Sequence, residues 1–140
     1  MAKVEFAGLV PEHILNNATK IEEWLVNIVE ERNHVLKRVN YEFLDDIAIQ
    51  ELNVSLLDHD YPTDIITLNH SRGSKLKVEV FLGQDTIEFN AKERGIPEMD
   101  EYMRVLAHGL LHCMGWDDQT DEDKRQMRLE EEKCLISRPK

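Results

Sequence analysis

Long apolar runs are absent from this sequence. No uninterrupted stretch exceeds a few residues, which argues against a membrane-spanning helix, and Met1-Ala2-Lys3-Val4-Glu5 has no signal-peptide core. Cysteine is scarce. Cys113 and Cys134 are too few for a disulfide framework, so a reducing, cytoplasmic setting without a disulfide-linked partner is expected. Basic residues are also in deficit, 17 against 28 acidic ones for a net charge of −11, which excludes a uniformly basic nucleic-acid binder. Only local patches of Lys and Arg can meet phosphate. No repeat or low-complexity tract points to a solenoid or to disorder. What is present, 140 residues with 41% hydrophobic and 32% charged, suits one globular domain over residues 1–140. Acidity crowds toward the C-terminal end, in Asp117, Asp118, Asp121 to Asp123 and Glu130 to Glu132. This run reads as a solvated helix face.

Periodicity divides the chain into alternating elements. Val4-Glu5-Phe6 suits an edge strand, and Ile21, Trp24, Leu25, Ile28 and Val29 recur at helical spacing within a helix expected from Asn17 to Val35. Tyr41 to Leu44 alternates as a strand, and Asp45-Asp46 offers an N-cap for a helix toward Leu56. Ile65 to Leu68 and Lys75 to Leu82 read as strands joined through the reversal Ser71-Arg72-Gly73-Ser74, which makes a hairpin. Helices are expected from Asp85 to Arg94 with Gly95 as stop, from Pro97 to Gly115, and from Thr120 to Ile136. The order predicts an α+β domain with a small mixed four-stranded sheet, about five helices and a metal site on a central helix.

The chemistry concentrates in His108-Gly109-Leu110-Leu111-His112-Cys113-Met114-Gly115-Trp116-Asp117-Asp118. Residues four apart on a helix differ by about 40° around its axis, so His108 and His112 project side by side and can share one metal ion. Met99, Met103, Leu106, Leu110 and Cys113 form an apolar stripe on the other side of the helix. Gly115 can adopt a left-handed conformation that doubles the chain back, bringing an acidic residue two or three positions later to the ion. Spacing alone separates Asp117 and Asp118 poorly. Three protein ligands leave a fourth position for water, the arrangement of a hydrolytic zinc site. Cys113 points about 100° from His112 and reads as a core thiol, as does Cys134. His13, His34, His59 and His70 read as surface or structural residues.

This segment resembles the signature of the YbeY family, single-domain metal-dependent endoribonucleases of ribosomal RNA maturation. That signature runs His-Gly-x-Leu-His-x-x-Gly-x-Asp-His. A second block, Leu52-Asn53 followed by Asp60-Tyr61-Pro62-Thr63-Asp64-Ile65-Ile66-Thr67, is similar to the family's Leu-Asn spacing into Pro-Thr-Asp-Val-Leu-Ser-Phe. The resemblance implies one zinc ion per chain held by His108, His112 and Asp118, with Asp118 standing where the family has histidine. It also implies single-strand-specific cleavage acting at the 3′ end of 16S ribosomal RNA and in ribosome quality control, with ribosomal RNA or ribosomal particles as partners. Leu57 stands where the family carries arginine, which removes a phosphate contact. Arg72, Lys75 and Lys77, on or beside the hairpin, are candidates to replace it in binding RNA.

Two other functions compete with the nuclease. A metallopeptidase of the His-Glu-x-x-His kind needs a glutamate as general base where this chain has Gly109. A non-catalytic ribosome-assembly factor with a zinc site accommodates the loss of arginine at position 57. No residue is assigned as general base.

Overall fold

A computed structural model of the chain describes residues 3–140. Ten elements follow in order: β1 (Val4–Gly8), α1 (Glu12–Asn16), α2 (Ala18–Glu30), β2 (Val35–Leu44), α3 (Asp46–Leu57), β3 (Ile65–Asn69), β4 (Lys75–Gly83), α4 (Gln84–Arg94), α5 (Glu98–Cys113) and α6 (Asp121–Ile136). The four strands form one mixed sheet in the order β1-β2-β4-β3. β2 pairs in parallel with β1 and β4, and β3 closes the far edge antiparallel to β4 through the expected hairpin. The α+β reading and the mixed four-stranded sheet therefore hold.

Two boundaries differ from expectation by more than two residues, and one helix is additional. The helix expected to reach Val35 stops at Glu30, and the chain turns through Asn33 at φ 61°. Residues 35–40 belong to a ten-residue β2. A bulge between Leu36 and Arg38 explains why the strand was hidden: buried Leu36 and Val39 lie three residues apart, a helical interval, before Tyr41 and Phe43 resume the alternation. The sixth helix, α1, is a five-residue turn after Pro11 that buries Ile14 fully.

Side chains of β2 and β4 that point to one face, among them Val39, Tyr41, Phe43, Leu76, Val78 and Val80, merge with Ile21, Leu25 and Ile28 of α2 and with Leu106 and Leu110 of α5 into one core. Tyr41 donates its hydroxyl to the Leu106 carbonyl at 2.8 Å, which ties α5 to the middle of the sheet. Asn53, buried on α3, donates to the Tyr61 carbonyl at 2.9 Å and holds the loop leading into β3. α6 starts with a capping box in which Thr120 and Asp123 exchange side-chain and backbone hydrogen bonds. At its other end the Cys134 carbonyl accepts from the Trp24 indole at 2.9 Å.

Candidate metal centre

α5 is walled in more completely than an amphipathic stripe requires. Tyr102, Met103, Val105, Leu106, Ala107, Leu110 and Leu111 are all buried. Along the middle and end of the helix, solvent reaches chiefly a strip of residues at i, i+4 and i+8: Arg104, His108 and His112. Gly109 is where the helix faces the hairpin at close range. A Cβ there would stand 3.2 Å from Ile65 Cδ1 and 3.6 Å from Val80 Cγ2. A glutamate at this position has no room, and it would carry a charge into an apolar seam.

The end of α5 sends the chain back toward the strip. Trp116 N–H donates to the Leu111 carbonyl at 3.1 Å and Gly115 N–H to the His112 carbonyl at 3.2 Å, with Gly115 at φ 108°. One donor atom from each of His112, Asp117 and Asp118 then falls within 4.8 Å of the others. Asp118 Oδ2 also lies 3.7 Å from His108 Nε2. Ligand atoms bound at 2.0–2.1 Å around a tetrahedral ion are roughly 3.3 Å apart; among the described residues the group gathered closely enough to share an ion is His112, Asp117 and Asp118, whereas His108, expected as a ligand, stands outside that group and reaches Asp118 alone. Asp118 is the member that approaches both histidines, while Asp117 stands on the His112 side and accepts from the Asp118 N–H at 3.0 Å.

Behind His108 lies a buried ionic network. His108 Nδ1 is 2.6 Å from Glu131 Oε2 on α6, and Glu131 is 5% exposed. Burial pushes the Glu131 carboxyl up, but the His108 hydrogen bond and the Arg104 charge hold it below the ordinary carboxylate value, so it is ionised. A carboxylate only accepts. His108 Nδ1 therefore donates to Glu131, and the ring's other nitrogen, Nε2, faces Asp118. Arg104 Nη1 reaches both Glu131 oxygens at 3.1 and 3.2 Å, and its Nε and Nη2 bind fully buried Glu101 at 3.0 and 2.6 Å. Arg94 adds a second cation to Glu101 at 3.0 Å. Asp64, from the Pro-Thr-Asp block, approaches Arg104 at 4.0 Å and so draws the two motif blocks together.

The network opens onto a cleft of about 560 Å³ between α5 and α6, lined by His108 and Asp118 and by the cations Arg94, Arg104, Lys124 and Arg128. Arg72, Lys75 and Lys77 do not line it. They bound a separate surface cleft with Lys37 and His70. Leu57 closes α3 with 48% of its surface exposed.

His13, His59 and His70 are exposed, and His34 places Nδ1 2.7 Å from the Arg32 carbonyl. Burial pushes the Cys113 thiol up to about 11, which keeps it protonated and unlike a metal-binding thiolate. Glu131 corrects the reading of residues 130–132 as a solvated face. It shares the buried stripe of α6 with Met127 and Cys134, at the i−4 and i+3 positions, and that spacing was the signal available to find it.

Comparison with known proteins bears on this geometry. The family model for endoribonuclease YbeY matches residues 10–138. Similar proteins named endoribonuclease YbeY come from Cytophaga hutchinsonii, 36% identical over 91% of this chain and 90% of that protein, and from Flavobacterium johnsoniae, 36% identical over 89% of each. Another, from Bacteroides thetaiotaomicron, is 37% identical over 83% of this chain and 85% of its own. A solution structure of a Thermotoga maritima protein superposes with a TM-score of 0.67 at 25% identity, covering 94% of this chain and 86% of that one.

Proposed function

The chain belongs to the YbeY endoribonuclease family, and from that premise we propose that it hydrolyses phosphodiester bonds of single-stranded RNA with one zinc ion held by His108, His112 and Asp118. The observation that carries this reading is the approach of Asp118 to both histidines, with Glu131 holding His108 through its other nitrogen. Imidazole nitrogens and a carboxylate oxygen are donors that zinc accepts. The chemistry such an ion supplies is Lewis-acid polarisation of a phosphoryl oxygen and acidification of water.

The chain's own residues do the rest. Glu131 fixes the His108 ring and its tautomer. Glu101 and Glu131 together hold the Arg104 guanidinium at the mouth of the cleft, where Arg94, Lys124 and Arg128 add positive charge. These cations act locally against a molecule whose net charge of −11 repels a polyanion at a distance. The biological substrate in this reading is ribosomal RNA, at the 3′ end of 16S RNA and in ribosome quality control, met as RNA or as ribosomal particles in the cytoplasm.

A labelled single-stranded RNA incubated with metal-replete protein and with His112→Ala is the test. Cleavage by the first and not the second supports the reading. Full metal occupancy without cleavage above the variant overturns it and leaves the assembly-factor reading, which exposed Leu57 in place of an arginine favours.

A further inference from the structure

We propose that the outward sheet face around the β2 bulge and the hairpin tip is a second RNA-backbone surface, separate from the α5–α6 cleft. The β2 bulge creates it. Leu36 and Val39 both point into the core, so the two residues between them, Lys37 and Arg38, are both left facing out. Strict alternation would have turned one of them inward. Arg38 pairs with Lys77 across the β2–β4 ladder, and Arg72 bridges to Lys75 at the turn with backbone hydrogen bonds of 3.0 Å in both directions. The result is a cleft of about 540 Å³ bounded by Lys37, His70, Arg72, Lys75, Lys77 and Glu79.

The charge there is largely uncompensated. Arg38 meets Glu5 at 3.0 Å and His70 meets Glu79 at 3.3 Å. Among the described residues, Lys37, Arg72, Lys75 and Lys77 have no carboxylate within 4.0 Å, and all four are exposed. Protection of an open sheet edge does not account for Lys37 and Lys77, because β3 is the edge on this side and they sit on the interior strands β2 and β4. On a chain of net charge −11, four free cations at one end of the sheet form a field opposite in sign to the whole. No Phe, Tyr or Trp lines this cleft, so the one ring it offers a base is the His70 imidazole, which is already paired with Glu79. A surface of this kind contacts phosphates without reading sequence.

This inference rests on the endoribonuclease reading, since it gives the strand cut at the α5–α6 cleft a second point of attachment. Fluorescence anisotropy with a labelled oligouridylate of about 20 nucleotides tests it, comparing wild type with Lys37→Ala/Arg72→Ala/Lys75→Ala/Lys77→Ala. A control of equal charge change, Lys3→Ala/Lys20→Ala/Lys92→Ala/Lys140→Ala, accounts for the general field. Thermal unfolding confirms that each variant folds, and single substitutions replace any that does not. The expected result is an affinity loss of at least tenfold for the first variant and under threefold for the control. Its logarithmic salt slope should fall by about 3, at 0.7 per phosphate contact on single strands. Equal losses in the two variants overturn the second surface while leaving the nuclease reading intact. Absence of RNA binding by wild-type protein overturns both.

Discussion

Glu131 Oε2 stands 2.6 Å from His108 Nδ1, across the gap between α6 and α5. The same carboxylate holds Arg104, so one buried acid aligns both a candidate metal ligand and a cation of the cleft. Glu131→Gln keeps the shape and removes the charge. Metal affinity measured by competition with a chelating dye should fall 10-fold to 100-fold, the range for loss of such an outer partner. Nitrogen NMR of the His108 ring should lose its single Nδ1–H tautomer. An unchanged tautomer and affinity would remove Glu131 from the site's workings.

Asp118 and Asp117 are adjacent in sequence but unequal in place. Asp118 approaches both histidines and Asp117 only His112. Asp118→Ala should therefore cut zinc affinity at least ~10-fold, and Asp118→His should retain it by supplying a third imidazole. Elemental analysis and calorimetric titration check this. A loss in Asp117→Ala without one in Asp118→Ala reverses the assignment.

Gly109 lies where α5 meets the hairpin. Alanine is favoured over glycine in a helix by about 1 kcal/mol, but overpacking a tight seam costs about 1–3 kcal/mol. With Ile65 Cδ1 at 3.2 Å from the added Cβ, the steric cost should win and Gly109→Ala should melt at lower temperature than wild type. Gly109→Glu should be far less stable and should gain no peptidase activity. A Gly109→Ala protein as stable as wild type would show that the seam yields.

Arg32 and Glu130 join the end of α2 to α6 at 2.8 Å, both largely shielded from solvent. Burial pushes the Glu130 carboxyl up, but hydrogen bonds from Lys133 and Arg32 hold it below its ordinary value. A depressed carboxyl contributes stability above the unfolded value of about 4.3 and loses that contribution as pH falls through the folded value. Glu130→Gln should thus lower the melting temperature at neutral pH, by the equivalent of roughly 1.5–3 kcal/mol, and flatten its decline on acidification. Parallel melting curves for wild type and variant across the acid range would contradict this.

Much of this molecule was legible from residue order because its signals are local. The hairpin through Gly73, the Gly95 stop and the doubling back at Gly115 each depend on a few adjacent residues, and each stands where it was read. β2 is read short, from Tyr41, because its bulge places Leu36 and Val39 at a helical interval. The cleft was illegible for another reason. Arg94, Arg104, Lys124 and Arg128 come from three helices, and only the packing of α4, α5 and α6 brings them together. Glu131 lay within an acidic run whose charge masked its place on the buried stripe.

The sheet order also bears on how this chain is made. β2 takes one partner, β1, from upstream, but its other partner begins at Lys75, so on a ribosome it emerges well before that ladder can close. Until then its open side is an unpaired strand carrying Val39, Tyr41 and Phe43, the kind of surface that recruits chaperones or a neighbouring nascent chain. α5 and α6 follow later still, so the side chains that surround the candidate metal are synthesised after every strand of the sheet. A polypeptide truncated before Asp121 would carry all four strands but lack Glu131, leaving His108 and Arg104 without the carboxylate that holds them both.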